Sequence, residues 1–246
     1  MMLAIDSLAP RADKIHVVRD NECETWRSDY TERKVGVPQV LLVEQKIPGS
    51  RILPHFHDLD QFQVFMDNPA KVGSHEISPI SIHYTNGYTG YGPIVAGEQG
   101  SSYYVFRPDF DSRGSHYLHV PESRAKLKPG GKRVLLANGV KLMPQEELSK
   151  LGVPRVERIM GVKADDPDAG VFVDAVNLGP DMRFIGSLPQ EGGGQVFLLV
   201  HGAITSGGTR LAGRASLVVT NAEPAVMVTA GNEGAQLLIF QYPRRA

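Results

Sequence analysis

The sequence predicts an all-β chain built as two tandem antiparallel β-domains, each closed or sandwiched. Two patterns carry that prediction. Short apolar or β-branched runs bounded by Gly, Pro, Asn or Asp recur about every ten residues, and helical periodicity is nearly absent. Length agrees: 246 residues are too many for one small barrel and comfortable for two ordinary domains. Hydrophobic residues make up 41% and charged residues 22%, so each half has enough apolar side chains for a core of its own. The 26 glycines and 17 prolines suit a chain with many turns.

In the first half the expected strands are Ile15–Val18, Val40–Val43, Arg51–His57, Gln61–Met66, Ile80–Thr85 and Tyr103–Arg107. The last of these, YYVFR, has the aromatic and β-branched content that strands favour. Residues 121–153 break the rhythm with a Pro/Gly-rich basic stretch and then MPQEELSKLG. The latter predicts one short helix, with Glu146 and Glu147 near its start and Gly152 past its end. Strands then resume at Val171–Val176, Val196–Val200, Ser216–Thr220, Ala225–Thr229 and Ala235–Tyr242. The expected division is a first domain over 1–125, a linker with a short helix over 126–153, and a second domain over 154–246.

The formal net charge of -1 supplies no global field for nucleic acid or an anionic membrane. The basic cluster from Lys126 to Arg133 reads as a solvated linker. The single cysteine, Cys23, allows no intramolecular disulfide, which fits a reducing compartment, and nothing beside it marks an activated thiolate. The N-terminus lacks a basic start followed by an apolar run, and no segment approaches the ~20 apolar residues of a spanning helix. The expectation is a cytoplasmic protein.

Chemistry concentrates between Gly49 and Phe65. His55 and His57 stand at i and i+2, one face of a strand, where two neutral imidazoles can share a metal. Asp58-Leu59-Asp60 has turn polarity, so the next strand returns antiparallel and sets Gln61 beside the histidines. Its carboxamide oxygen can be a hard ligand, or Gln61 can be a structural hydrogen-bonder at the start of a strand. His83, in an alternating strand, is either a fourth donor or a core histidine. Gln63 shares the face of Gln61. Tyr84, Tyr88 and Tyr91 follow His83 among Gly87, Gly90 and Gly92; a tyrosine here either orients a substrate, acts as an acid, or packs over the rim. Tyr84, Tyr91 and Gln63 are the candidate catalytic residues. Arg51 and Arg107 on flanking strands can pair with a substrate carboxylate. His75, in a hairpin, and His116 and His119, in a loop, are expected outside the site.

Gly49-(x5)-His55-x-His57-(x3)-Gln61 resembles the first motif of the cupin superfamily, in which a glutamate normally stands at the position of Gln61. Asn68 occupies the usual closing glycine, a position whose left-handed backbone Asn tolerates. Pro79 and His83 match the order of the second motif loosely. The resemblance covers roughly residues 40–110 and implies a jelly-roll β-barrel with a metal in its mouth. It implies His55, His57, Gln61 and His83 as ligands of one divalent Fe, Mn, Ni, Zn or Co ion. This neutral set would leave the full charge on the metal and make it a stronger Lewis acid.

The second half repeats the rhythm in Gly192–Gly202 and Ala230–Phe240, with Gly202 expected as a tight turn, but its only histidine is His201. It reads as a degenerate cupin barrel that braces the first, with a homodimer as a plausible assembly. The expected function is a metal-dependent cupin enzyme acting on a small polar molecule. A dioxygenase is preferred on the resemblance, with an isomerase, a lyase or a non-catalytic binding module as alternatives.

Overall fold

A computed structural model of the chain describes residues 2–20, 23–127 and 133–245. Most of the basic stretch expected as a solvated linker, residues 128–132, lies outside them. The chain divides into two compact units, Pro10–Val140 and Met1–Ala9 with Lys141–Ala246. The division falls inside the stretch expected to connect the domains. Each flank of that stretch is built into its own unit rather than left as a free linker.

The strands in chain order begin with β1 (Met2–Ile5), which pairs inside the second unit. The first unit contains β2 (Ile15–Asp20), β3 (Cys23–Asp29), β4 (Gln39–Gln45), β5 (Arg51–Ile52), β6 (His55–Phe56) and β7 (Gln61–Phe65). It continues with β8 (Ala70–Val72), β9 (His75–Ile77), β10 (Ser81–Thr85), β11 (Ile94–Ala96), β12 (Ser101–Arg107), β13 (His116–Tyr117) and β14 (Val134–Ala137). Seven strands form one sheet in the order β14-β10-β7-β12-β4-β3-β2. Four form a second, β5-β11-β8-β9, and β13 pairs with β6.

Leu41, Val43, Phe65, Tyr103 and Val105 from the larger sheet meet Ile52, Val72, Ile77 and Ile94 from the smaller in one core. Two sheets packed over a shared core is the jelly-roll solution for strands that each have an apolar face. β7 and β10 are buried at every position and β4 at all but one. That is why VLLV and FQVF read as continuous apolar runs rather than alternating ones. The expected strand Arg51–His57 is split, because Pro54 has no N–H to give a ladder. Its first piece pairs with β11 and its second with β13. Asn68, which would tolerate a left-handed backbone, does not adopt one; among the described residues the non-glycine residues that do are Ile80, Tyr88 and Asp181.

The second unit holds β15 (Arg155–Gly161), β16 (Phe172–Leu178), β17 (Arg183–Ile185), β18 (Gln195–Ser206), β19 (Thr209–Ala212), β20 (Ser216–Val219) and β21 (Met227–Gln241). With β1 they make an eight-stranded sheet around Phe172, Val176, Phe197, Leu217, Leu237 and Ile239. The expected tight turn at Gly202 is instead a point inside β18, where the register with β21 shifts on either side. Likewise the two strands expected at Ala225–Thr229 and Ala235–Tyr242 are one long β21 that bends through these irregularities. The expected helix is one turn, α2 (Gln145–Leu148), and a second single turn, α1 (Pro121–Arg124), precedes it. No helix among the described residues is long and apolar enough to cross a membrane.

Candidate functional site

Register brings the polar side chains of the first unit together. Gln63 lies directly opposite His83 in the β7–β10 ladder and opposite Val105 in β12. Arg107, two residues beyond Val105, shares that inward face and sits opposite Gln39 of β4. The Tyr91 backbone docks on His55 through two reciprocal hydrogen bonds of 3.1 and 3.0 Å, which sets the two side chains side by side. The His57 carbonyl accepts the Tyr88 N–H at 2.8 Å, and Gly87 beside it leaves no room for a Cβ, which would stand 2.5 Å from the Asp58 carbonyl oxygen.

The hydrogen bonds form one continuous network, and its partners settle each ring tautomer. His55 Nδ1–H donates to the Leu53 carbonyl at 2.7 Å, so its Nε2 accepts the Tyr91 hydroxyl at 2.9 Å. Tyr91 in turn accepts the Gln61 Nε2–H at 2.6 Å and the Gln63 Nε2–H at 3.4 Å. That orientation turns the Gln61 oxygen toward Arg107, which donates to it from Nε at 3.1 Å and from Nη2 at 3.0 Å. Arg107 also donates to Gln39 at 2.7 Å and to His57 Nε2 at 3.2 Å. His57 Nδ1–H donates to Asp111 at 2.6 Å, and Asp111 lies 3.5 Å from Arg107 Nη1. His83 Nδ1–H donates to Gln63 Oε1 at 2.8 Å.

Burial controls the charges. It pushes the His57 pKa far down, the Arg107 charge adds to this, and the Asp111 hydrogen bond opposes it without prevailing. Burial likewise lowers His83 to about 4, with His75 and His55 adding to the shift. Both imidazoles are therefore neutral at physiological pH. For Asp111 burial favours the protonated form, but the hydrogen bond from the neutral His57 ring and the charge of Arg107 outweigh it and hold the carboxylate ionised. Burial raises Tyr91 to about 12, so it keeps its proton.

His55, His57, Gln61, Gln63, His83 and Tyr91 thus lie in one hydrogen-bonded network, and that network is not built around a metal. The His57 and Gln61 atoms that a metal would need are occupied by Arg107, and the His55 Nε2 by Tyr91. The His55 and His57 rings stand edge to face, 5.2 Å between centroids. The Arg107 guanidinium sits against His57 Nε2 and the Gln61 oxygen. Among the described residues no group of three or more His, Cys, Asp or Glu side chains is placed to hold a metal ion. In this arrangement the expected four-ligand set does not fit one. Tyr84 is not brought to the site at all. As the neighbour of His83 in a strand it points to the opposite face, where it packs on Phe62 at 4.9 Å.

A cavity of about 230 Å³ opens beside the network, lined by His55, His57, Gln63, Tyr91, Tyr103 and Arg107. Arg27, Asp29 and Arg33 also line it, as do Asp111 and Arg113. Four arginines against two aspartates leave its wall net positive. Arg27 Nε is buried and has no hydrogen-bond partner among the described residues. Arg51, considered alongside Arg107 as a carboxylate partner, is exposed and lies on the small sheet, away from the cavity. His116 pairs with Asp58 at 3.0 Å and stacks on Phe56, outside the network as expected. Arg27, Gln39 and Asp111 were not foreseen. Asp111 carries no local signal, lying 54 residues after His57, and Arg27 reaches the cavity from β3, far from the His-x-His stretch in the chain.

No protein-family model matches the chain, and no curated protein matches it in sequence. Solved structures do match. A putative dioxygenase from Nostoc punctiforme superposes with a TM-score of 0.59 at 10% identity, covering 99% of this chain and 79% of that one. The oxalate decarboxylase of Lactobacillus farciminis, in a formate complex, gives 0.57 at 15% identity, with 100% and 87% covered. The bacterial pirin of Escherichia coli in complex with nickel(II) gives 0.55 at 11%, with 99% and 100% covered. Likeness at such identities speaks for the fold: this chain has the cupin fold, in two tandem copies.

Proposed function

We propose that the first unit is the functional one, that it takes a small molecule bearing a carboxylate, and that the chain is a cupin enzyme acting on that molecule. The observation that carries this is the Arg27 guanidinium, which lines the cavity with its Nε–H buried and, among the described residues, without an acceptor. A buried donor without an acceptor costs free energy that an anionic ligand removes. Arg107 cannot take that role, since its donors are already directed to Gln39, Gln61 and His57. Tyr91 and Gln63 are the neutral groups placed to orient the rest of the ligand. The similarity to an oxalate decarboxylase solved with formate points to the same ligand class.

Calorimetric titration with a panel of mono- and dicarboxylates tests the reading. At least one should bind, and Arg27→Gln should weaken it about 10- to 100-fold, the worth of one charge-assisted hydrogen bond. A panel in which nothing binds, or binding indifferent to Arg27, sinks the proposal.

A second reading is a metal-dependent dioxygenase in the same barrel, with His55, His57, Gln61 and His83 as ligands. The pairing of His55 and His57 at one cavity and the similarity to a putative dioxygenase and a nickel-bound pirin favour it. It requires Arg107 to withdraw from His57 and Gln61. Oxygen uptake by Fe(II)-loaded protein on catechols, diketones and thiols distinguishes it. A homodimer is a proposal of the same standing, tested by light scattering.

A further inference from the structure

We propose that Arg107 is the resident cation of the first barrel: its guanidinium stands in the place where the His-x-His arrangement would otherwise hold a divalent metal, and it keeps the barrel from taking one. This does not depend on Arg27 or on carboxylate binding.

A metal site in this barrel needs lone pairs from His55, His57 and an oxygen donor on β7, aimed at one point. The side chains are there, but the guanidinium satisfies two of those donors from one rigid, planar fork. It gives two hydrogens to Gln61 Oε1 and one to His57 Nε2. Its remaining arm is anchored by Gln39 and by the ionised Asp111. Asp111 also fixes the His57 ring so that Nε2, not Nδ1, faces inward. The arrangement has the logic of a metal centre: a buried cation, oriented imidazole and carboxamide donors, and a carboxylate behind the histidine that sets its tautomer. Only the cation differs. It is monovalent, covalently attached and contributed by β12.

The identity of Gln61 agrees with this. A carboxylamide supplies both an oxygen for Arg107 and an N–H for Tyr91. A carboxylate at the same position would accept from Arg107 but could not donate to Tyr91, whose own hydrogen is already given to His55. Gln61 is therefore matched to a site whose cation is a guanidinium and whose neighbour is a tyrosine that needs a donor.

The test is metal uptake by the full chain after equilibration with Ni(II) or Zn(II) and removal of free ion, counted by elemental analysis. The unsubstituted chain should retain less than about a tenth of a metal per chain. Arg107→Ala should retain about one, at least ~100-fold tighter, and the added change His57→Ala should abolish it. Arg107→Gln and Arg107→Met are run in parallel in case the alanine variant does not fold. The unsubstituted chain also answers directly by nitrogen NMR. If the His57 ring resonances stay in place on adding Zn(II), the proposal stands; if they move to a metal-bound position, it falls. His57-dependent metal in the unsubstituted chain overturns it, and so does a folded Arg107 variant that takes up none.

Discussion

Replacing Tyr91 with Phe isolates the hydroxyl that joins the two arms of the network. The ring contacts with His55 at 4.6 Å and His83 at 5.3 Å survive the change, so the loss is confined to hydrogen bonding. The hydroxyl accepts from Gln61 at 2.6 Å and weakly from Gln63 at 3.4 Å, and donates to His55 at 2.9 Å. The Gln61 amide nitrogen keeps only the longer contact to Thr85 at 3.3 Å. Buried groups stripped of a partner cost about 1–3 kcal/mol, and two strong bonds are lost, so the variant should be less stable by about 2–4 kcal/mol. For a unit of this size that lowers Tm by roughly 6–12 °C. The chain has a single tryptophan, Trp26, on β3 of the first unit, so its fluorescence in a urea titration reports that unit. A loss below about 0.5 kcal/mol, within the range of an indifferent substitution, would refute the view that Tyr91 is fully engaged in this network.

The first unit should also weaken in acid. His83 binds no proton in the folded state until about pH 4, whereas its unfolded value is 6.5. The unfolded chain therefore takes up the proton first, and stability falls as pH drops from 6.5 toward 4, by about 3 kcal/mol from this group. His83→Gln should flatten that limb of a Trp26-monitored stability profile; an unchanged slope would show that His83 is not the group responsible. Tyr84→Phe should leave carboxylate affinity within about twofold, since Tyr84 faces away from the cavity; a tenfold loss in titration calorimetry would place it at the site after all. Gly87→Ala sets a Cβ 2.5 Å from the Asp58 carbonyl oxygen and should cost about 2 kcal/mol or more by urea denaturation, with neutrality disproving the close packing of that turn.

Much of the site was legible because it is local in the chain. His55, His57, Gln61 and Gln63 lie within nine residues, and strand periodicity alone puts them on one face. His83 and Tyr91 follow on β10 and the loop after it. Periodicity also held the information that Tyr84, adjacent to His83, must point the other way. Its place among three nearby tyrosines obscured that. The split at Pro54 likewise follows from the missing N–H, although the His-x-His spacing by itself reads as a single strand.

The sequence by itself determined the two-domain β architecture, since turn spacing and apolar runs are set by neighbours a few residues apart. It determined that histidine chemistry belongs to the first half, because the second has only His201. Which cation the histidines face was decided only by the tertiary structure. Arg107 reaches His57 from β12 through sheet register, and Asp111 meets the same ring across 54 residues. Met2–Ile5 lies at the start of the chain yet completes the sheet of the second unit. Long-range pairings of this kind follow from how the sheets close and from which burial is cheapest, and no spacing along the chain records them. A His-x-His pair reads as half a metal site until the fold places a guanidinium against it.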